Sequence, residues 1–116
     1  MTRRTERINR FIRREITELL QRQVNDPRLS GFISVTKVET SPDLRHSKIF
    51  ISTLGNEAEK EEVLAGFTAA SGFFRGELAS RLRSRHVPEL SFYPDDSIER
   101  GARVLELIEQ GKANSG

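Results

Sequence analysis

The sequence predicts a single domain of the α+β class, in which three strands form one sheet covered by helices and a further helix follows at the C-terminal end. Two observations lead to this prediction. The chain opens with a long amphipathic helical pattern, and two stretches rich in β-branched residues then flank a turn. A chain of 116 residues can bury one ordinary core. Because a three-stranded sheet cannot cover both of its own faces, we expect the helices to pack on one side.

The first helix is predicted from Arg3 to Gln23. Its apolar residues recur at helical spacing from Ile8 to Leu20, and Asp26-Pro27 stops it because proline disfavours the helical conformation of the residue before it. Four arginines lie almost opposite this apolar stripe, within about 60° of one another on a helical projection. These arginines form a basic ridge on the solvent side of the helix: Arg3, Arg7, Arg10 and Arg14.

Two strands are predicted over residues 32–40 and 47–54, and Ser41–Arg45 has the turn chemistry that joins them as an antiparallel hairpin. A second helix is predicted to open at Asn56 or Glu57. A third helix follows after a short break and ends near Arg85. We expect a glycine in the break to adopt a conformation closed to other residues. The predicted break consists of Ala70, Ser71 and Gly72.

A short strand over residues 88–94 precedes the last predicted helix. Asp96 is expected to cap this helix with Glu99 as its capping-box partner, and Gly111 to end it. Residues 1–111 then form the domain, and 112–116 a polar tail. We expect the inner face of the last helix to consist of Ile98, Ala102, Leu105 and Ile108.

Basic residues concentrate in two segments of the chain. Residues 1–28 hold eight arginines against four acidic residues, and residues 63–88 hold four against one. All but four of the 19 basic residues are arginine, which favours bidentate contact with phosphate or carboxylate groups. Two separated basic segments indicate a polyanion partner, whereas ordinary surface ion pairs are the alternative.

Several functional classes find little support. The chain has no cysteine and two histidines, His46 and His86, with no nucleophile–base pair near either. Asp95-Asp96 is typical of a helix cap, and Glu57–Glu62 of a solvated first helical turn, so we expect neither catalysis nor a metal site nor a cofactor. No secretory signal or membrane span is visible. We therefore expect a cytoplasmic protein.

Nucleic-acid binding agrees with both the charge and the layout. The order αββααβ with a sharp break between two helices is that of a KH domain, which clamps single-stranded RNA with a G-x-x-G loop. That tetrad is absent, since Gly72 and Gly76 are separated by three residues. Binding would then depend more on shape and charge than on a clamp.

From about Arg7 to Ile108 the chain is similar to the bacterial ribosome-binding factor A family. The similarity lies in six strings that occur in the same order and at similar spacings. They are Asp26-Pro27-Arg28, Val35-Thr36-Lys37-Val38, Ser41-Pro42-Asp43-Leu44, Gly72-Phe73-Phe74-Arg75, Pro88-Glu89-Leu90-Ser91-Phe92 and Asp96-Ser97.

This resemblance implies a type II KH-like fold in which an Ala-x-Gly kink, here Ala70-Ser71-Gly72, replaces the G-x-x-G loop. It also implies a non-enzymatic, monomeric assembly factor that binds the free small ribosomal subunit and its 16S rRNA. Such a factor acts late in rRNA maturation and processing, supports growth in the cold and works alongside assembly GTPases. Many members carry a longer charged tail than this chain shows.

The predicted RNA contacts are the ridge of the first helix and the arginines of the third. For the ridge, the alternative is pairing with Glu6, Glu15 or Glu18. For the arginines at the end of the third helix, the alternative is interaction with the helix dipole. A stand-alone single-stranded-RNA-binding protein and a protein-interaction module remain as other functions. The contacts assigned to the third helix are Arg75, Arg81, Arg83 and Arg85.

Overall fold

The computed structural model describes residues 2–22, 27–29, 32–82, 86–96 and 103–111. Within these ranges the chain forms helices and strands in the predicted order, with a short 3₁₀ turn after the first helix. The elements are α1 (Arg3–Arg22), the 3₁₀ turn (Pro27–Leu29), β1 (Ile33–Thr40), β2 (His46–Thr53), α2 (Glu57–Ala69), α3 (Ser71–Arg81), β3 (Glu89–Pro94) and α4 (residues 103–111).

The three strands form one sheet in the order β1-β2-β3. β1 and β2 are antiparallel, with a register that runs from Ile33 opposite Thr53 to Thr40 opposite Ser47. β3 lies parallel to β2 on its other side. Parallel neighbours require a crossover connection, and α2 with α3 provides it. The predicted α+β fold and its three-stranded sheet are therefore confirmed.

The turn between β1 and β2 is held by its own side chains. Asp43 Oδ1 accepts a hydrogen bond from Ser41 Oγ at 2.6 Å and another from the Arg45 amide nitrogen at 3.0 Å. These two bonds lower the pKa of the Asp43 carboxyl. Leu44 adopts a positive φ of 61° to complete the turn. The predicted hairpin is thus closed by the aspartate that the sequence places there.

The core lies on one face of the sheet. α1 packs on β1, and α2 and α3 cover the part nearer β3. Two phenylalanines on these last two helices, Phe67 and Phe74, are fully buried and their rings lie 5.7 Å apart. The apolar stripe predicted for the first helix is confirmed, because its central residues are buried. The core consists of Ile12, Ile16, Leu19, Leu29, Val35, Val38, Ile49, Ile51, Val63, Phe67, Phe74, Leu78 and Leu90.

α4 does not extend this core, and the expectation of a buried inner face is wrong for the residues described. Leu105 is 63% exposed and Ile108 is 49% exposed. Three helices already cover the inner face of a narrow sheet, so little apolar surface is left there for a fourth. The predicted inner-face residues Ile98 and Ala102 and the cap partner Glu99 lie outside the described residues. Among the described helices, none combines the length and apolar character needed to cross a membrane.

Candidate nucleic-acid interface

The exposed side of α1 carries the four arginines predicted to form a basic ridge. Ile12, Ile16 and Leu19 point from the helix into the core. The helical repeat places the arginines on the opposite side, where all four are exposed. We call this surface the α1 ridge, and it consists of Arg3, Arg7, Arg10 and Arg14.

Ion pairing within the chain leaves most of the α1 ridge unneutralised. Arg14 Nε lies 3.6 Å from Glu15 Oε1, and the Arg14 guanidinium carbon lies 6.0 Å from the centre of the Phe11 ring. The other three arginines of the ridge form no ion pair with a described residue. Neutralisation by acidic residues of the same helix, the alternative interpretation, therefore applies to Arg14 and not to the other three.

Arg81 has a different position from the one predicted for an RNA contact. Its Nη1 donates a hydrogen bond to Glu15 Oε2 at 3.1 Å, and its Nη2 lies 3.7 Å from Glu77 Oε2. Glu15 is buried, so Arg81 compensates a carboxylate that has little access to water. This ion pair joins α1 to α3, which sequence spacing could not reveal. The neighbouring candidates Arg83 and Arg85 lie outside the described residues.

A groove of about 630 Å³ lies beside the hairpin turn, and arginines from three separate parts of the chain line it. Arg75 is exposed, and its Nη2 donates a hydrogen bond to the Val87 carbonyl oxygen at 3.3 Å. His46 and His86 also line the groove, together with two acidic residues. We call this surface the arginine groove, after Arg4 of α1, Arg45 of the turn and Arg75 of α3.

The acidic residues of the arginine groove are engaged in the fold. Asp43 is held by the hydrogen bonds that close the hairpin turn. Glu89 Oε2 lies 3.6 Å from His46 Nδ1, and the Glu89 amide nitrogen donates a hydrogen bond to the Arg45 carbonyl oxygen at 2.8 Å. The arginine groove is therefore a mixed surface with three arginines against two carboxylates.

The break between α2 and α3 lies where the sequence places it, but not for the expected reason. Ala70 ends α2 and begins α3, with φ −89° and ψ 3°. Gly72 already lies inside α3, without a positive φ, and a Cβ atom there would meet no neighbour within 4 Å. The expectation that Gly72 supplies a special backbone conformation is therefore wrong. The break itself lies at Ala70, the one residue between the two helices.

A sequence model of the family described as ribosome-binding factor A matches residues 4–108. The match spans the sheet, the helices on it and most of the α1 ridge. The chain belongs to the ribosome-binding factor A family. The family assignment made from the six sequence strings is confirmed, and the name designates a binding factor rather than a reaction.

Individual members of the ribosome-binding factor A family are similar over most of the chain. The protein from Prochlorococcus marinus (strain MIT 9303) is 51% identical over 109 residues, which cover 93% of this chain and 77% of that protein. The solution NMR structure from Thermotoga maritima has a TM-score of 0.72 at 36% identity, covering 78% of this chain and 86% of that one.

A third similarity concerns a complex. A homology model of Thermus thermophilus ribosome-binding factor A, fitted into a cryo-EM map of a 30S complex, has a TM-score of 0.61 at 28% identity. It covers 74% of this chain and 89% of that one.

Sequence reasoning found the α1 ridge and missed the arginine groove. The ridge has a periodic signal, because its members recur at helical spacing. Arg4, Arg45 and Arg75 come from three distant segments and share no pattern. Their proximity follows from the way in which the hairpin turn packs beside α1 and α3. A single sequence carries no signal that could have placed them together.

Proposed function

We propose that this protein is a ribosome assembly factor that binds the small ribosomal subunit through phosphate groups of its RNA. Its family, and the 30S complex of the Thermus thermophilus relative, support the choice of partner. The observation in this chain that carries the proposal is the α1 ridge, because three of its four exposed arginines lack an ion-pair partner among the described residues. Guanidinium groups keep their charge and bind phosphate oxygens in bidentate fashion.

The position of the α1 ridge suits this role. Residues three or four apart on a helix have neighbouring side chains, so the arginines form a continuous line of charge. The opposite side of α1 is fixed in the core by Ile12, Ile16 and Leu19. The helix therefore needs no ordering when it meets RNA, which lowers the entropic cost of association.

The arginine groove extends the proposed contact surface. Arg4 belongs to α1 and lines the groove, so one helix contributes to both basic surfaces. Arg75, predicted as a contact from the sequence, is an exposed member of this second surface. In contrast, Arg81 is engaged with Glu15, and we assign it to the structure rather than to RNA.

We further propose that binding takes place in the cytoplasm, on free subunits, late in the maturation and processing of 16S rRNA. The protein would act as a monomer without catalysis or cofactor, alongside assembly GTPases, and would contribute to growth in the cold. Membership of the ribosome-binding factor A family supports these features. The type II KH-like assignment belongs with them, since the element order agrees with it.

Co-sedimentation with small subunits, large subunits and full ribosomes tests the proposal. We expect retention on free small subunits that falls steeply as salt rises, because phosphate contacts release counterions. Charge reversal of the ridge by Arg7→Glu with Arg10→Glu should abolish retention at a salt concentration where the unaltered protein is still bound.

The matched control reverses two other exposed arginines of α1, Arg13→Glu with Arg22→Glu. Both double variants change the net charge equally, so only position on the helix distinguishes them. Retention of the control, and loss of the ridge variant at an unchanged melting temperature, would support the proposal. Absence of retention on every particle, or equal retention on large subunits, would overturn it.

A further inference from the structure

The face of the sheet opposite the core carries a row of large side chains. Along β2, buried Ile49 and Ile51 alternate with side chains on the other face, to which Phe50 belongs. The strand register places Lys37 of β1 on one side of Phe50 and Tyr93 of β3 on the other. The row therefore crosses all three strands. We call it the outer row, and it consists of Lys37, Phe50 and Tyr93.

Two aromatic rings and two ammonium groups are brought together at the outer row. The ring centres of Phe50 and Tyr93 lie 5.8 Å apart, with 31° between the ring planes. Lys37 Nζ lies 5.8 Å from the centre of the Phe50 ring. Lys48, the next outward-facing residue of β2, has its Nζ 5.9 Å from the centre of the Tyr93 ring. Each ring thus has a cation close to it.

The two lysines differ in their availability. Lys37 Nζ lies 2.6 Å from Glu39 Oε1, and this contact raises the pKa of Lys37. Lys48 has no acidic partner within the described ranges. Glu39 lies opposite Lys48 in the strand register, but its carboxylate contacts Lys37 at 2.6 Å. Of the two lysines, Lys48 is therefore the more open to an anion.

The aromatic pair is not part of the core. The core uses its own cluster of rings, in which Phe67 lies 5.7 Å from Phe74 and 4.9 Å from Phe92. Phe50 and Tyr93 lie outside this cluster, and Tyr93 is 41% exposed. A cross-strand aromatic pair can stabilise a sheet by itself, which is the structural alternative for these residues. It does not account for Lys48, which lies beside the exposed ring and has no ion pair with a described residue.

We infer that the outer face of the sheet is a second RNA-binding surface, on which Phe50 and Tyr93 form a stacking platform for unpaired bases and Lys48 contacts the adjoining phosphate. Open sheets that present aromatic rings beside cations bind single strands in this way, because every base has a flat face that can stack. Bases of a duplex are already stacked inside it and cannot do so. The inference rests on the proposed function and adds unpaired rRNA as the partner of this face.

Tyr93 allows a direct test. It is the only tyrosine of the chain, which has no tryptophan, so the tyrosine fluorescence of the whole protein reports on this one ring. We expect oligoadenylate and oligouridylate to quench this fluorescence after correction for their absorbance, and an RNA hairpin without unpaired bases to quench it much less. Equal quenching by the hairpin, or no quenching by either single strand, would overturn the inference.

Variants of Tyr93 and Lys48 distinguish a role in base stacking from a role in stabilising the fold. Binding of a dye-labelled oligoadenylate, followed by anisotropy, should be about 10-fold weaker for Tyr93→Ile and within about twofold of the unaltered protein for Tyr93→Phe. Phe73→Leu is the matched control, since Phe73 is 40% exposed but lies on α3. If Tyr93→Ile lowers the melting temperature, Lys48→Gln at an exposed position of β2 replaces it as the test variant. Lys48→Gln should weaken binding several-fold.

Three combinations of results distinguish this inference from the proposed function. Retention on small subunits, with oligonucleotide affinity that Tyr93→Ile and Lys48→Gln leave unchanged, would overturn the platform and leave the proposed function standing. Quenching by single strands, without retention on any ribosomal particle, would support the platform and overturn the proposed function. Loss of subunit binding in Tyr93→Ile without oligonucleotide binding by the unaltered protein would assign the face to another partner and overturn the inference.

Discussion

α1 and α4 lie near opposite ends of the chain and carry similar apolar repeats, but their surroundings differ. In α1, Ile12 and Ile16 have no exposed surface, whereas in α4 Leu105 is 63% exposed and Ile108 is 49% exposed. α1 packs against β1, which has free apolar surface for it. Every residue of α4 is exposed. An apolar helical repeat therefore stabilises this domain only where the sheet offers a complementary surface.

The same substitution in the two helices gives the largest expected difference. Ile16→Ala should lower the free energy of unfolding by about 2–5 kcal/mol, because it removes buried atoms and leaves a cavity. Ile108→Ala should change it by less than about 0.5 kcal/mol. Urea unfolding of both variants measures the two values. A similar loss of unfolding free energy in both variants would show that Ile108 is packed in solution and would contradict the difference between the two helices.

A second pair of variants makes the same comparison for charged residues. Arg81→Met removes the hydrogen-bonded cation of buried Glu15 and leaves it only the contact with Arg14 at 3.6 Å, so it should cost about 1–2 kcal/mol after allowance for the part of Arg81 that is exposed. Arg7→Met on the α1 ridge should cost less than about 0.5 kcal/mol. Urea unfolding at low salt distinguishes them. Equal costs would mean that Arg7 also has a structural role, although it forms no ion pair with a described residue.

Two glycines extend the comparison to the backbone. Gly55 has a φ of 127°, and a Cβ atom there would lie 2.8 Å from Glu59 Oε2, so Gly55→Ala should destabilise by about 1 kcal/mol or more. Gly72 is exposed within α3, and Gly72→Ala should stabilise by about 0.5–1 kcal/mol through helix propensity. Thermal unfolding gives both signs. If Gly72→Ala instead lowered the melting temperature, Gly72 would need a backbone conformation that alanine cannot adopt.

The smallest expected effect concerns pH and the hairpin turn. Hydrogen bonds from Ser41 and the Arg45 amide hold the pKa of Asp43 below its ordinary value of 3.8. The stabilisation is therefore present above that value, and is lost as the pH falls through the lower pKa of the folded state. Asp43→Asn should flatten this part of the dependence of melting temperature on pH. Parallel curves for the two proteins would show that the turn does not depend on the charge.

Most of the helices and strands could be predicted from local patterns in the sequence. The apolar repeat of α1, the turn at Ser41–Arg45 and the start of α2 at Glu57 each depend on residues close together in the chain, and each element lies within a few residues of its predicted place. The exposure of α4 depends on how much of the sheet the other helices cover. That quantity belongs to the assembled domain, so the apolar repeat alone could not predict it.

The candidate site also has one part that the sequence could predict and another that it could not. The α1 ridge is visible in the sequence because one helix repeat produces it. The partner of Arg81, the arginine groove and the outer row depend on side chains from separate elements, which meet only when the sheet and helices are assembled. The prediction for Gly72 is wrong because the break lies at Ala70, whose φ of −89° and ψ of 3° are open to residues with a Cβ atom, so no glycine is required there.

The salt dependence of binding to free small subunits measures how many phosphate contacts the α1 ridge makes. Log affinity falls as log salt rises, and for each phosphate contact that is lost the magnitude of this negative slope should decrease by about one. We expect Arg7→Glu with Arg10→Glu to decrease the magnitude of the slope by about two and to weaken binding, while Arg13→Glu with Arg22→Glu should change it by less than one. Equal slopes and affinities for the ridge variant and the unaltered protein would contradict the claim that the α1 ridge binds RNA.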